Sequence, residues 1–157
     1  MKKQLLLLTI TFFILASCKK SNVEVHNILT KNVTDAELLV NYHDSIVQQL
    51  LEDRLYDSIP SLTKETIALV GQKLTAIHSL EVPDIAQNYK SAAGLYVEAL
   101  LRIVKAEDLY SNMNDTISGL QAETLDNLNI EAIKDAKTQY AKYVEYQKAF
   151  SRTNGSK

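Results

Sequence analysis

Three histidines, one cysteine, eight tyrosines and nineteen carboxylates carry most of the reactive chemistry in this 157-residue sequence. A metal site inside a helical bundle wants Glu-x-x-His pairs from two helices. No Glu-x-x-His occurs, and His-Glu-x-x-His and Cys-x-x-Cys are absent as well. Haem ligation would have to pair His43 or His78 with Met113, at positions that do not suit it. The four glycines are scattered, so no Gly-rich loop can cradle a phosphate, and no nucleophile elbow or kinase signature appears. No metal and no cofactor is therefore expected. His43 falls in the middle of an apolar stripe and is expected to be buried and hydrogen-bonded to a neighbouring tyrosine, with a ligand or catalytic base as the alternative. Tyr89 and Tyr96 stand seven apart and Tyr140 and Tyr143 three apart. Core and rim packing with the hydroxyls reaching water is expected of them, and a ring-lined pocket for a sugar or apolar ligand is the alternative.

The one cysteine, Cys18, closes a distinctive leader. Lys2 and Lys3 give a positive start, Leu5 to Leu15 is an apolar run, and Ala16 and Ser17 are small. The run is short of the ~20 residues a membrane span needs. Leu15-Ala16-Ser17-Cys18 resembles the lipobox of bacterial lipoproteins, in which the Cys thiol takes a diacylglycerol and cleavage makes that Cys the new N-terminus. The resemblance implies a signal peptide over 1–17, lipidation of Cys18, and a protein held in the bacterial cell envelope at the outer membrane, on its periplasmic face or at the cell surface. Each buried CH₂ contributes ~0.8 kcal/mol, so two or three acyl chains anchor stably where one does not. Without residues 1–17 the chain keeps 15 basic against 19 acidic residues, a net charge of −4. Such a domain is not drawn to anionic lipid or to nucleic acid, and attachment rests on the acyl chains.

Regular elements must position these groups, and the composition allows them. It is 46% apolar with a full-chain net charge of −2, which excludes disorder, and one Cys excludes a disulfide scaffold. Residues 18–33 show no clear period and read as the lipidated Cys and a flexible tether, reaching roughly 20 Å as a coil. From Thr34 the apolar residues recur at helical spacing. A first helix opens on the box-like Thr34-Asp35-Ala36-Glu37 and stops before Pro60. A second carries Leu62 to Leu80 and stops before Pro83, and a third opens on Asp84-Ile85-Ala86-Gln87. A fourth runs from about Asn129, and Ile117, Leu120, Leu125 and Leu128 suggest a short extra helix before it. The expected fold is all-α, an up-down-up-down four-helix bundle over 34–152 with a frayed tail at 153–157.

Projected at about 100° per residue, Arg54 and Glu107 fall inside apolar stripes. Counted from their caps at ~1.5 Å per residue, they stand within about 4.5 Å in height. An Arg54–Glu107 ion pair is expected, because an unpaired buried charge costs several kcal/mol, with each side chain snorkelling to solvent at the bundle end as the alternative. Asp115-Thr116-Ile117 resembles the Asp-Ser/Thr-aliphatic pattern of periplasmic O-glycosylation in Bacteroidetes, which implies Thr116 as an acceptor; Asp44-Ser45-Ile46 and Asp57-Ser58-Ile59 share the pattern on expected helices. The layout as a whole resembles small lipid-anchored helical surface proteins of spirochaetes and Bacteroidetes. Tyr42-His43-Asp44-Ser45-Ile46-Val47 is similar to their Tyr-Asn-Asp-x-Ile-Val stretch, with His43 in place of Asn, and Gln147-Lys148-Ala149-Phe150 to their closing Gln-x-x-Phe. The resemblance implies location and fold, with no active residues to carry over. The function expected is a non-enzymatic binding or structural module whose partner is an envelope protein or component. A small-ligand carrier with a Tyr-lined interior and an envelope enzyme of unrecognised site are the alternatives.

Overall fold

The computed structural model describes residues 20–113 and 117–154, and among them every regular element is helical. Four helices follow one another: α1 Asn22–Glu52, α2 Ile59–Ser79, α3 Gln87–Asp108 and α4 Gly119–Asn154. Short 3-10 turns precede α2 and α3 and follow α3. The chain is an all-α bundle, as its periodicity foretells.

The first helix starts twelve residues before the expected Thr34, which corrects the flexible tether over 22–33. The Ser21 side chain accepts a hydrogen bond from Glu24 N–H at 3.2 Å and caps the helix there. Val25, Leu29 and Val33 then continue the inward stripe of Ala36, Val40, His43 and Val47. Burying each large apolar side chain is worth ~1.5–3 kcal/mol, and that packing, rather than propensity, holds this polar-looking segment in a helix. Asp35, expected at a cap, lies mid-helix and takes Lys31 Nζ at 3.0 Å and Lys73 Nζ of α2 at 2.8 Å.

The first helix ends in a Schellman motif. Leu55 N–H bonds to Leu50 C=O and Arg54 N–H to Leu51 C=O, with Arg54 at φ 58°. Pro60 then sits in the first turn of α2, where its missing N–H costs nothing. At the other end of α2, the His78 imidazole lies against the backbone of α3 at Gly94. A Cβ on that glycine would meet His78 Nε2 at 2.9 Å.

Among the described residues no separate α-helix stands between α3 and the fourth. Ser118 Oγ accepts from Gln121 N–H at 3.3 Å while Gln121 Oε1 accepts from Ser118 N–H at 3.0 Å, a reciprocal capping box that starts α4 at Gly119. Leu120, Leu125 and Leu128 therefore belong to α4 itself. Thr153 and Asn154, expected to fray, are its last residues.

The third helix is the common neighbour. It packs on α1, α2 and α4, while α1 and α4 meet along only a short stretch. Contacts between α1 and α3 rise together in number: Thr30 with Tyr89, Glu37 with Tyr96, His43 with Glu107. Between α3 and α4 they run oppositely: Tyr89 with Phe150, Tyr96 with Tyr143, Arg102 with Asp135. A main core joins the four helices, and a smaller one gathers Val47, Ile59 and Tyr110.

Candidate functional site

Two groups of expected site residues come together, in different places. Tyr89 and Tyr96 on α3 meet Tyr140, Tyr143 and Phe150 on α4 in a continuous seam of rings. Tyr89 stacks on Tyr143 with centroids 5.7 Å apart, Tyr96 on Tyr143 at 5.9 Å, and Tyr89 meets Phe150 at 5.4 Å. The spacing explains it: Ala136, Tyr143 and Phe150 recur every seven residues and form the buried line of α4. The hydroxyls do not simply reach water. Tyr89 Oη lies 3.0 Å from Thr30 Oγ1, and Gln147 Nε2 donates to Thr30 Oγ1 and to the Tyr89 and Tyr143 hydroxyls. Tyr96 Oη donates to Glu37 Oε1 at 2.9 Å. Burial, and then the Glu37 carboxylate, push the Tyr96 phenol well above its ordinary range; burial does the same at Tyr143.

The second group is a polar knot joining three helices. His43 Nδ1 lies 2.7 Å from Glu107 Oε2, and His43 Nε2 lies 3.2 Å from Thr63 Oγ1. The expected tyrosine partner of His43 is thus replaced by a carboxylate and a hydroxyl. The Arg54–Glu107 pair is also corrected: Glu107 is spent on His43, and Arg54 is exposed in the turn after α1. Thr, His and Glu in that order have the connectivity of a hydrolytic triad. Here they are 4%, 0% and 1% exposed, so the hydroxyl is closed off from solvent. Burial holds the Glu107 carboxyl above its usual range, with the nearby Asp44 acting in the same direction and His43 in the opposite one. The knot is a structural lock.

Among the described residues, the seam opens to solvent at Tyr140. Between α1 and α4, over a floor of α3, lies a groove of about 290 Å³. Glu37 and Asn41 form one wall, Ile133, Lys137 and Tyr140 the other, and Leu100 and Ile103 the floor. Tyr140 remains 46% exposed while its ring meets Tyr96 at 5.2 Å. The groove exists because α1 and α4 both pack on α3 and barely on each other. It offers a ring face, an apolar floor, a carboxylate, an amide and an ammonium. Its lining carries no Ser, Thr, Cys or His. The sequence marks Tyr96 and Tyr140; Glu37, Asn41 and Lys137 carry no signal until the helices are assembled.

Cys18 and Thr116 lie outside the described residues. Of the other two Asp-Ser-aliphatic stretches, Ser58 is exposed at the start of α2 and Ser45 is exposed on α1, its hydroxyl donating to Tyr42 C=O. Among the described residues no three His, Cys, Asp or Glu side chains gather as metal ligands, and no helix is long and apolar enough to cross a membrane. No protein-family model matches the chain, and neither the curated proteins nor the solved structures contain a match.

Proposed function

We propose that this chain is a lipid-anchored, non-enzymatic binding module of a bacterial cell envelope, and that the α1–α3–α4 groove is its binding surface. The observation that carries the binding half is the contrast inside one row of rings. Tyr89 and Tyr143 have their faces covered and their hydroxyls bonded, whereas Tyr140 stands half exposed beside Lys137 and Asn41. The anchor half rests on the leader and Cys18. Contacts of α1 with α3 and of α3 with α4 fit an up-down-up-down arrangement, which brings the first and last helices to either side of the groove. The two stretches that carry the resemblance to lipid-anchored surface proteins hold structural residues: His43 in the knot, Gln147 and Phe150 in the seam.

A ligand carried inside the bundle is less well supported, because the tyrosines stack on one another instead of lining a hollow. A groove of about 290 Å³ is at the lower edge of ligand-site sizes and suits a side chain or a sugar ring of a larger partner. Affinity capture from envelope extracts with the soluble domain from Lys19 tests the proposal. A specific component retained by the native domain and lost with Tyr140→Ala or Lys137→Glu, at unchanged helicity, supports it. Equal retention by native and groove variants contradicts it.

A further inference from the structure

The early start of α1 limits how the domain can meet its membrane. If Cys18 is the acylated N-terminus, as the proposed anchor has it, four Cα steps separate it from Asn22, the first residue of α1. Four steps span at most about 14 Å. Asn22 cannot swing away on a tether, because Val25, Leu29 and Val33 are buried in the main core. The bundle end that holds Asn22 is therefore tied close to the depth at which the acyl chains enter.

That end has a definite composition. His26 on α1 meets Tyr89 on α3 at 5.9 Å, and Tyr89 meets Phe150 on α4 at 5.4 Å, so these three residues share a level. Beyond it lie the first turn of α1, the α2–α3 connection and the last turn of α4. Two large apolar side chains there are exposed: Val23, at 67%, and Ile85, at 54%. Among the described residues beyond that level the charges nearly balance: Lys20 and Arg152 stand against Glu24, Glu81 and Asp84. Neither an anionic nor a cationic partner is selected. A rim of nearly balanced charge with two exposed apolar side chains, held within about 14 Å of a lipid anchor, faces the headgroup layer of the membrane its own acyl chains enter.

We infer that the bundle stands end-on, with Val23 and Ile85 resting in the headgroup layer and the opposite end, with the α1–α2 turn, pointing away. Glu37 and Asn41 lie 15 and 19 residues beyond Asn22 on α1. At ~1.5 Å per residue the groove opens roughly 20–30 Å above the membrane. Its partner is then a soluble or extended envelope component, and not a lipid headgroup.

The end-on orientation rests on the anchor, and one experiment separates the two. The mature protein is purified from membranes and reconstituted in phosphatidylethanolamine–phosphatidylglycerol vesicles. Single fluorophores are placed through Val23→Cys, Ile85→Cys, Tyr42→Cys and Leu55→Cys, Cys18 being blocked by its acyl group. Labels at 23 and 85 should lose most of their quenching by an aqueous quencher and gain quenching by headgroup-labelled lipid. Labels at 42 and 55 should behave as they do in the soluble domain. Flotation with the vesicles, but with position 85 as open to the aqueous quencher as position 55, would overturn the end-on orientation alone. Protection at 42 would overturn it too, by showing a domain that lies on its side. Failure to float, with a mass lacking acyl groups, would overturn the anchor and the orientation together.

Discussion

Toward the end of the bundle where α1 and α3 finish, His43, Thr63 and Glu107 tie three helices through two hydrogen bonds in a site closed to water. Toward the other end, Tyr89, Tyr143 and Phe150 join α3 to α4 through ring contacts, with Gln147 and Thr30 collecting the hydroxyls. The knot has few atoms and depends on each of them, because a buried charged group without its partner is costly. The seam has much apolar area and depends on its hydroxyls only at the margin. This difference explains why the groove opens along the seam: one more ring can face solvent at little cost, whereas the knot tolerates no opening.

The largest effect separating the two regions should come from single alanine changes in the knot. Glu107→Ala or His43→Ala is expected to destabilise by ~3–5 kcal/mol, and an apolar double replacement of similar volume should recover much of it. Urea denaturation of the three variants measures this. Additive losses would show that the two side chains do not act as a pair.

The buried carboxyl and the buried phenols should respond to pH in different ranges. The Glu107 carboxyl is held above its ordinary value of 4.5, so the folded state binds its proton more tightly than the unfolded chain. Its contribution is present at acid pH and declines as pH rises past 4.5. Tyr110, buried and bonded to Asp126, is pushed up to about 12, and the seam phenols of Tyr96 and Tyr143 are raised as well. The Tyr110 contribution is intact below pH 10 and lost as pH climbs through about 12, and that of Tyr96 and Tyr143 also starts to decline above pH 10. At ~1.4 kcal/mol per unit, and allowing for solvent screening at the edge of the bundle, Tyr110 accounts for ~1–2 kcal/mol. Urea midpoints across pH, with tyrosinate absorbance alongside, should show an alkaline decline that Tyr110→Phe makes shallower. Glu107→Gln should make the Tyr110 part of that decline slightly shallower, because the Glu107 carboxylate helps to raise the Tyr110 phenol.

Smaller effects sharpen the contrast. Tyr143→Phe keeps the ring and loses the hydroxyl bonded by Gln147, and should cost only ~1 kcal/mol in urea titrations. A cost comparable to that of Glu107→Ala would show that the seam, too, hangs on its polar atoms. Lys73→Ala, which removes a partly exposed bridge between α2 and Asp35 of α1, should cost less than ~1 kcal/mol and change little in high salt.

The helical class is legible in the sequence because the apolar stripes are strong and both prolines fall at helix boundaries. The helix ends are not. The Thr34-x-x-Glu37 pattern looks like a cap but lies inside α1, where buried Val25, Leu29 and Val33 extend the helix. Meanwhile Ser21-x-x-Glu24 and Ser118-x-x-Gln121, equally readable, mark true starts. Local pattern cannot choose among such boxes, because tertiary burial decides which segment stays helical. The misplaced start also explains the misplaced ion pair. Thr30 with Tyr89 and Glu37 with Tyr96 set an offset of 59 residues between α1 and α3, which carries Arg54 to the level of 113, past the end of α3. The stripes do put Glu107 inward and His43 in the core, as found, but their pairing depends on that register. The groove is less legible still, because Glu37, Asn41 and Lys137 acquire a role only when α1 and α4 flank α3.

On the proposed function, this molecule acts through the open stretch of its seam and not through its sealed knot. Site-specific photo-cross-linking in intact envelopes tests this most directly, with a photoreactive residue at Tyr140 in the groove or at Leu69 on the exposed face of α2. A discrete adduct from position 140, absent from position 69 and abolished by Lys137→Glu, is the expected result. No adduct from 140, or the same adducts from both positions, would contradict the account.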